Sequence, residues 1–291
     1  MRVGNKLGLF AIAVAVAFGA AAAVGAALGP IDVGASSSHA SMSSVSPAGE
    51  GNGLSGLSAS ADGYRLVANS DAISAGEPST LTFRIENSNG STTTDFEILH
   101  DRRMHLIVLS RNLVDYLHLH PTDDASGLWT VDVPALAAGS YRIYADFQPR
   151  GSQRLTLASD LLLPGLVEFG DLPAPAPVSE VAGLSVALSG EPATGESDLT
   201  FDVSRDGTAI VTDRYLGAAG HLVAIRTDDL GFLHVHPLAG DAGPVRFALE
   251  LPTPGVYRLF FDFSVEGDVH TASFTIEVAA GESETHESHA P

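Results

Sequence analysis

Six of the chain's eleven histidines stand in two matched sets. His105, His118 and His120 fall in HLIVLSRNLVDYLHLHP (105–121). His221, His234 and His236 fall in HLVAIRTDDLGFLHVHP (221–237), which aligns to the first segment without gaps at an offset of 116 residues. A lone histidine on a strand is usually a surface or satisfied polar group, but three imidazoles repeated at ligand-compatible spacing point to metal ligation. The chain has no cysteine, so thiolate sites, disulfides and cysteine nucleophiles are excluded. Met104 is the only methionine in the folded region, which leaves imidazole and oxygen as donors. Such donors suit Cu(II), Zn(II) or Ni(II); copper is the first choice because Cu(II) heads the affinity order.

The elements that must position these groups are strands. In the first segment, a hairpin with its turn between Asn112 and Leu113 sets Ile107 opposite His118 and His105 opposite His120. Side chains alternate along a strand, so His105, His118 and His120 share one face while Leu106, Val108, Leu117 and Leu119 point to the core. The second segment repeats this with His221, His234 and His236, giving one three-histidine site per repeat. In the later strand Tyr141–Phe147, Arg142, Tyr144 and Asp146 read as outward. Asp146 is then a fourth ligand to the His105 face, a group that orients an imidazole, or the partner of Arg142 in a surface ion pair. Asp262 stands in the same relation to His221. His100 is a further candidate in the first repeat, where the second has Leu216.

The offset of 116 also carries Gly139, Tyr141, Arg142, Asp146 and Phe147 onto Gly255, Tyr257, Arg258, Asp262 and Phe263, and LTFRI (81–85) answers LTFDV (199–203). Two homologous units follow. Short alternating runs bounded by Gly, Pro, Asp and Ser give seven or eight strands per unit and nothing of helical length. The fold class is therefore all-β: two tandem immunoglobulin-like sandwiches, with Tyr141 and Tyr257 placed as tyrosine corners. The expected organisation is a membrane anchor or signal segment (1–29), a Ser/Gly/Ala linker (30–62), a first repeat (63–164), a Pro-rich linker (165–180), a second repeat (181–280) and an acidic, histidine-containing tail (281–291).

Arg2 and Lys6 precede an uncharged run of 23 residues from Leu7 to Gly29, long enough to span a bilayer and oriented with the bulk of the chain outside the cytoplasm. A single-pass cell-membrane protein with an extracytoplasmic body is expected, with secretion after cleavage as the alternative. The 15 Lys+Arg against 35 Asp+Glu give a formal charge of −20, which repels nucleic acid and concentrates cations. Metal ions and the membrane are the expected partners; the sequence names no protein partner.

The anchored, cysteine-free sandwich units with HL followed by LHxHP resemble bacterial extracytoplasmic copper-handling and heavy-metal-binding proteins, similar to the CopC-like and YtkA-like groups. The resemblance spans about residues 63–280 and implies metal buffering, resistance or delivery rather than catalysis. An enzymatic alternative is a bicupin-like metal oxygenase or isomerase. His118, His120 and Asp124, with His234, His236 and Asp241, fit the start of that motif, but its glutamate is absent and no later histidine follows in the first repeat. A metal-free adhesion or partner-binding tandem is the third reading. No G-x-S-x-G elbow and no P-loop is present.

Overall fold

The computed structural model describes residues 54–69, 73–167, 170–238 and 243–279. The apolar run 7–29, the linker up to residue 53 and the tail 281–291 lie outside them. Among the described residues there is no helix.

The first repeat runs β1 (Ser60–Ala61), β2 (Tyr64–Asn69), β3 (Ser79–Glu86), β4 (Met104–Ser110), β5 (Tyr116–Leu119), β6 (Thr122–Asp123), β7 (Trp129–Val133), β8 (Gly139–Phe147) and β9 (Leu155–Leu163). These form two antiparallel sheets, ordered β1-β2-β3-β7-β6 and β5-β4-β8-β9. The second repeat runs β10 (Val178–Val181), β11 (Leu184–Ser189), β12 (Gly195–Arg205), β13 (Thr208–Ala209), β14 (His221–Arg226), β15 (Phe232–His234), β16 (His236–Pro237), β17 (Val245–Leu251), β18 (Gly255–Val265) and β19 (Asp268–Val278). Its sheets are β10-β11-β12-β17-β16, with β13 against β12, and β15-β14-β18-β19. Each repeat is thus an immunoglobulin-like sandwich, and the tyrosine corners form: Tyr141 Oη donates to Ala137 O at 3.1 Å and Tyr257 Oη to Thr253 O at 3.0 Å.

The two sheets of a repeat differ in what covers them. In β3, Leu81, Phe83 and Ile85 are buried while Arg84 is exposed, and β17 alternates in the same way, so these sheets are wet on one face. In β4 all seven residues are buried, and β18 is buried from Tyr257 onward. Their core faces, even-numbered in β4 and odd-numbered in β18, explain only half of that. Leu106 and Val108 belong to the first repeat's core, whereas Ile107, Leu109, Leu113, Tyr144 and Ala158 pack on Val223, Ile225, Leu230, Phe232 and Phe260 of the second repeat. The face expected to be outward is therefore a third core, shared between repeats. At roughly 1.5–3 kcal/mol for each large apolar side chain buried, this seam holds the repeats together.

The seam has approximate two-fold symmetry. Tyr116 stacks on Phe260 at 4.2 Å between ring centroids, and its equivalent pair, Phe232 and Tyr144, lies at 5.4 Å. Tyr144 Oη donates to Leu230 O at 2.8 Å, and Arg258 Nε to Leu113 O at 3.1 Å. Residues 54–58, assigned by composition to the linker, run along the seam. Gly56 N donates to Thr156 O and Ala158 N to Ser58 O on β9, while Ser55 exchanges backbone bonds with Phe232 on β15. Arg142 secures the strap with two bonds to Gly56 O. Gly56 is required there: its φ is +65°, and a Cβ would lie 2.6 Å from Tyr144 Cδ1.

Candidate metal centre

The hairpin of the first repeat has the expected register, with Ile107 opposite His118 and Leu106 opposite Leu119. Alternation then brings His105, His118 and His120 to one face, where each offers a nitrogen and these atoms lie within 4.8 Å of one another. Ring centroids are 4.8 to 5.3 Å apart.

Hydrogen bonding fixes the tautomers. Leu99 O can only accept, so His105 Nε2, 3.0 Å away, carries its proton. His118 Nδ1 lies 2.8 Å from Asp262 Oδ2 and donates to it. In the neutral rings, His105 Nδ1 and His118 Nε2 therefore present lone pairs to each other at 3.0 Å. That contact is favourable only with a cation, a proton or a metal ion, between them. His120 Nε2 is buried without a hydrogen-bond partner among the described residues. Nitrogens bound tetrahedrally to one ion at about 2.0–2.1 Å lie about 3.3 Å apart, close to the His105–His118 spacing. Burial, followed by the neighbouring His118, lowers His105 to about 3. Burial, then His118 and His105, lowers His120 to about 3. Both rings are neutral at pH 7, the state that ligates metal. The donor set fits a late transition ion.

Local turns aim these rings. Leu99 to Arg102 is a two-residue hairpin turn closed by paired backbone bonds, with positive φ at His100 (48°) and Asp101 (61°). Tyr215 to Ala218 repeats it with Leu216 (50°) and Gly217 (79°). A left-handed leucine or histidine costs on the order of 1 kcal/mol, strain held here beside the candidate site. In both turns the first residue's carbonyl holds an imidazole: Leu99 O accepts from His105, and Tyr215 O accepts from His221 Nε2 at 2.9 Å. His221 thereby keeps its Nδ1 lone pair, and burial lowers its pKa.

The six histidines are not six equivalent observations. His221 lies at the seam, with its ring 6.4 Å from His118 and 5.1 Å from His100. His234 closes β15 and His236 opens β16; their side chains lie outside what is described. A cavity of about 20 Å³, room for one water or ion, lies at the seam and is lined by His100, His105, His118, His221, Asp146 and Arg154 among others.

The two aspartates sit where the register puts them, Asp146 opposite His105 and Asp262 opposite His221. Asp146 is held by Arg154, whose Nε is 3.0 Å from Oδ1, and by Thr156. It does not form the surface pair with Arg142, because that guanidinium is turned to Gly56 O and Asp160. Asp262 crosses the seam to His118. Tyr116 Oη donates to the same Oδ2 at 3.0 Å, and Thr271 Oγ1 donates to Oδ1 at 2.6 Å. Burial and Asp262 raise the Tyr116 pKa, so the phenol keeps the proton it donates. Tyr116 was missed by sequence reasoning; its signal is the first of the alternating positions Tyr116, His118 and His120.

A comparison with curated proteins finds no match. Among solved structures the chain is similar to the Escherichia coli adhesin FdeC (14% identity, 76% of this chain and 65% of that one, TM-score 0.24). It is also similar to Yersinia pseudotuberculosis InvD (17%, 80% and 62%, TM-score 0.25). The fibronectin(III)-like modules of Clostridium thermocellum CbhA are a third (12%, 77% and 100%, TM-score 0.23). The chain spans less than two thirds of the FdeC and InvD chains. Strand order and the tyrosine corners define each repeat as a sandwich. The resemblance to CopC-like and YtkA-like groups rests on sequence motifs. One family model matches residues 59–159 and again 179–280, most of the chain, which therefore belongs to the family described as "Domain of unknown function (DUF8832)".

Proposed function

We propose that this tandem is an extracytoplasmic metal-binding protein, anchored by residues 7–29, that buffers, confers resistance to or delivers a divalent late transition ion, copper first and zinc or nickel next. The observation that supports this reading is tautomeric. His105 and His118 each donate one ring N–H to an oxygen and turn the other nitrogen, as a lone pair, toward the same point. A metal-binding histidine is held in this way. The buried, unpartnered His120 Nε2 supplies the third donor. His221, His234 and His236 are proposed, by repeat equivalence, as the second repeat's ligands. The adjoining cavity has room for one water or ion, in keeping with a binding role, and the protein is read as a non-enzyme.

The test is calorimetric titration of the full-length chain, in detergent and without tag histidines, with Cu(II), Zn(II) and Ni(II). Tight binding is expected, with Cu(II) strongest, and His118→Ala should weaken it at least about a hundredfold. Binding no tighter than that of His118→Ala would remove the metal reading and favour a metal-free partner-binding tandem.

A further inference from the structure

Asp262 belongs to the second repeat, yet its Oδ2 accepts from two side chains of the first, His118 and Tyr116. The residue is 1% exposed. A buried carboxylate is costly unless bonded, and a charge is costlier still unless compensated. Arg154 compensates Asp146; the ion pair found for Asp262 is with His118. A neutral His118 bonds to the carboxylate without cancelling its charge. A cation on His118 Nε2 cancels it through the ring, and the carboxylate in turn makes that nitrogen a stronger donor.

We propose that Asp262 is the positioning residue of the first repeat's metal site, reaching it across the seam, so that the site has full affinity only in the docked pair and its occupancy tightens the docking. The proposal rests on the metal reading above. Binding linkage is reciprocal: whatever the seam contributes to metal affinity, the metal returns to the seam. The carboxylate–imidazole bond is the physical carrier. It joins β18 of one repeat to β5 of the other, beside the Tyr116–Phe260 stack.

The experiment titrates Cu(II) into the full-length wild type and Asp262→Asn, a substitution that keeps shape and an accepting oxygen but removes the charge. Affinity should fall roughly 10- to 100-fold. In pulsed electron paramagnetic resonance, the remote nitrogen of one bound imidazole should change its coupling, because His118 Nδ1–H loses its anionic acceptor. A generic packing defect would not single out one remote nitrogen. In His234→Ala/His236→Ala, which removes ligands proposed for the second repeat and keeps Asp262, Cu(II) should slow backbone hydrogen exchange in β18 of the second repeat as well as in β4 and β5. That arm leaves Asp262 in place and decides the matter even if Asp262→Asn does not fold. Affinity of folded Asp262→Asn within threefold of wild type with unchanged remote-nitrogen coupling overturns the proposal, as does protection confined to the first repeat. Absence of Cu(II) binding by wild type overturns the metal reading itself.

Discussion

Asp146 and Asp262 occupy one position of one strand in two related repeats; Asp146 bonds a guanidinium of its own repeat, and Asp262 bonds an imidazole across the seam. Their neighbouring strands differ. Asp146 pairs with Thr156 and Asp262 with Thr271 in register. Two residues before each threonine stands Arg154 in the first repeat and Val269 in the second. Arg154 reaches Asp146 and pairs with it. Val269 is 50% exposed and carries no charge; Asp262 bonds to His118 and Tyr116 across the seam, while Thr271 holds it as Thr156 holds Asp146. A shared motif thus fixes where a carboxylate stands; the next strand fixes what it holds.

The largest effect is expected at Arg154→Met. It strips the charge partner from a buried carboxylate, and urea unfolding should show a loss of about 3 kcal/mol. Aromatic exchange sharpens the contrast between the two halves of the seam. Tyr116→Phe gives the first repeat the residue type of Phe232 and removes a bond to a charged group, for about 2 kcal/mol. Tyr144→Phe removes a bond to the neutral Leu230 carbonyl and should cost only about 1 kcal/mol by the same assay. Val269→Arg tests the comparison in reverse. A guanidinium at the position equivalent to Arg154 competes with His118 for Asp262, so Cu(II) affinity should fall about tenfold in calorimetry with little change in thermal stability. Unchanged affinity would show that the strand β19 position does not govern the carboxylate.

The most gradual effect is that of acidity on the metal-free chain. His105 and His120 ionise near 6.5 when unfolded and at about 3 when folded, through burial and then neighbouring imidazoles. The unfolded state therefore binds more protons between those values. The stability these rings contribute is complete above pH 6.5 and is lost as pH falls toward 3. Urea midpoints measured from pH 7 to pH 4 should decline, and the double variant His105→Gln/His120→Gln should flatten the slope.

Much of the site was legible because strand alternation is a local rule. Ile107 opposite His118 follows from the turn, and the convergence of His105, His118 and His120 follows from that register. The seam was not legible from alternation, which says which side chains point away from a sandwich core but not what lies beyond them. Arg142, Tyr144 and Asp146 were read as outward on that basis, and they are buried against the other repeat and the strap. A signal was present: Leu106, Ile107, Val108 and Leu109 run without a polar break, as do Leu259, Phe260 and Phe261. Such runs mark strands covered on both faces. The crossing of Asp262 to His118 depends on docking between residues 144 positions apart and on the side chain at 269, which no local spacing encodes.

The strap at residues 54–58 gives the seam a mechanical character. The chain enters the body between the repeats, bonded on one side to β9 and on the other to β15. Bonds from Gly56 and Ser58 run to Thr156 and Ala158 in step, so a pull on the chain at Leu54 loads them together, in shear, instead of peeling them one by one. Arg142, clamped on Gly56 O, passes that load into β8, and Ser55 passes it to the second repeat through Phe232. Tension applied at the N-terminal side is thereby shared by both sandwiches from the first bond.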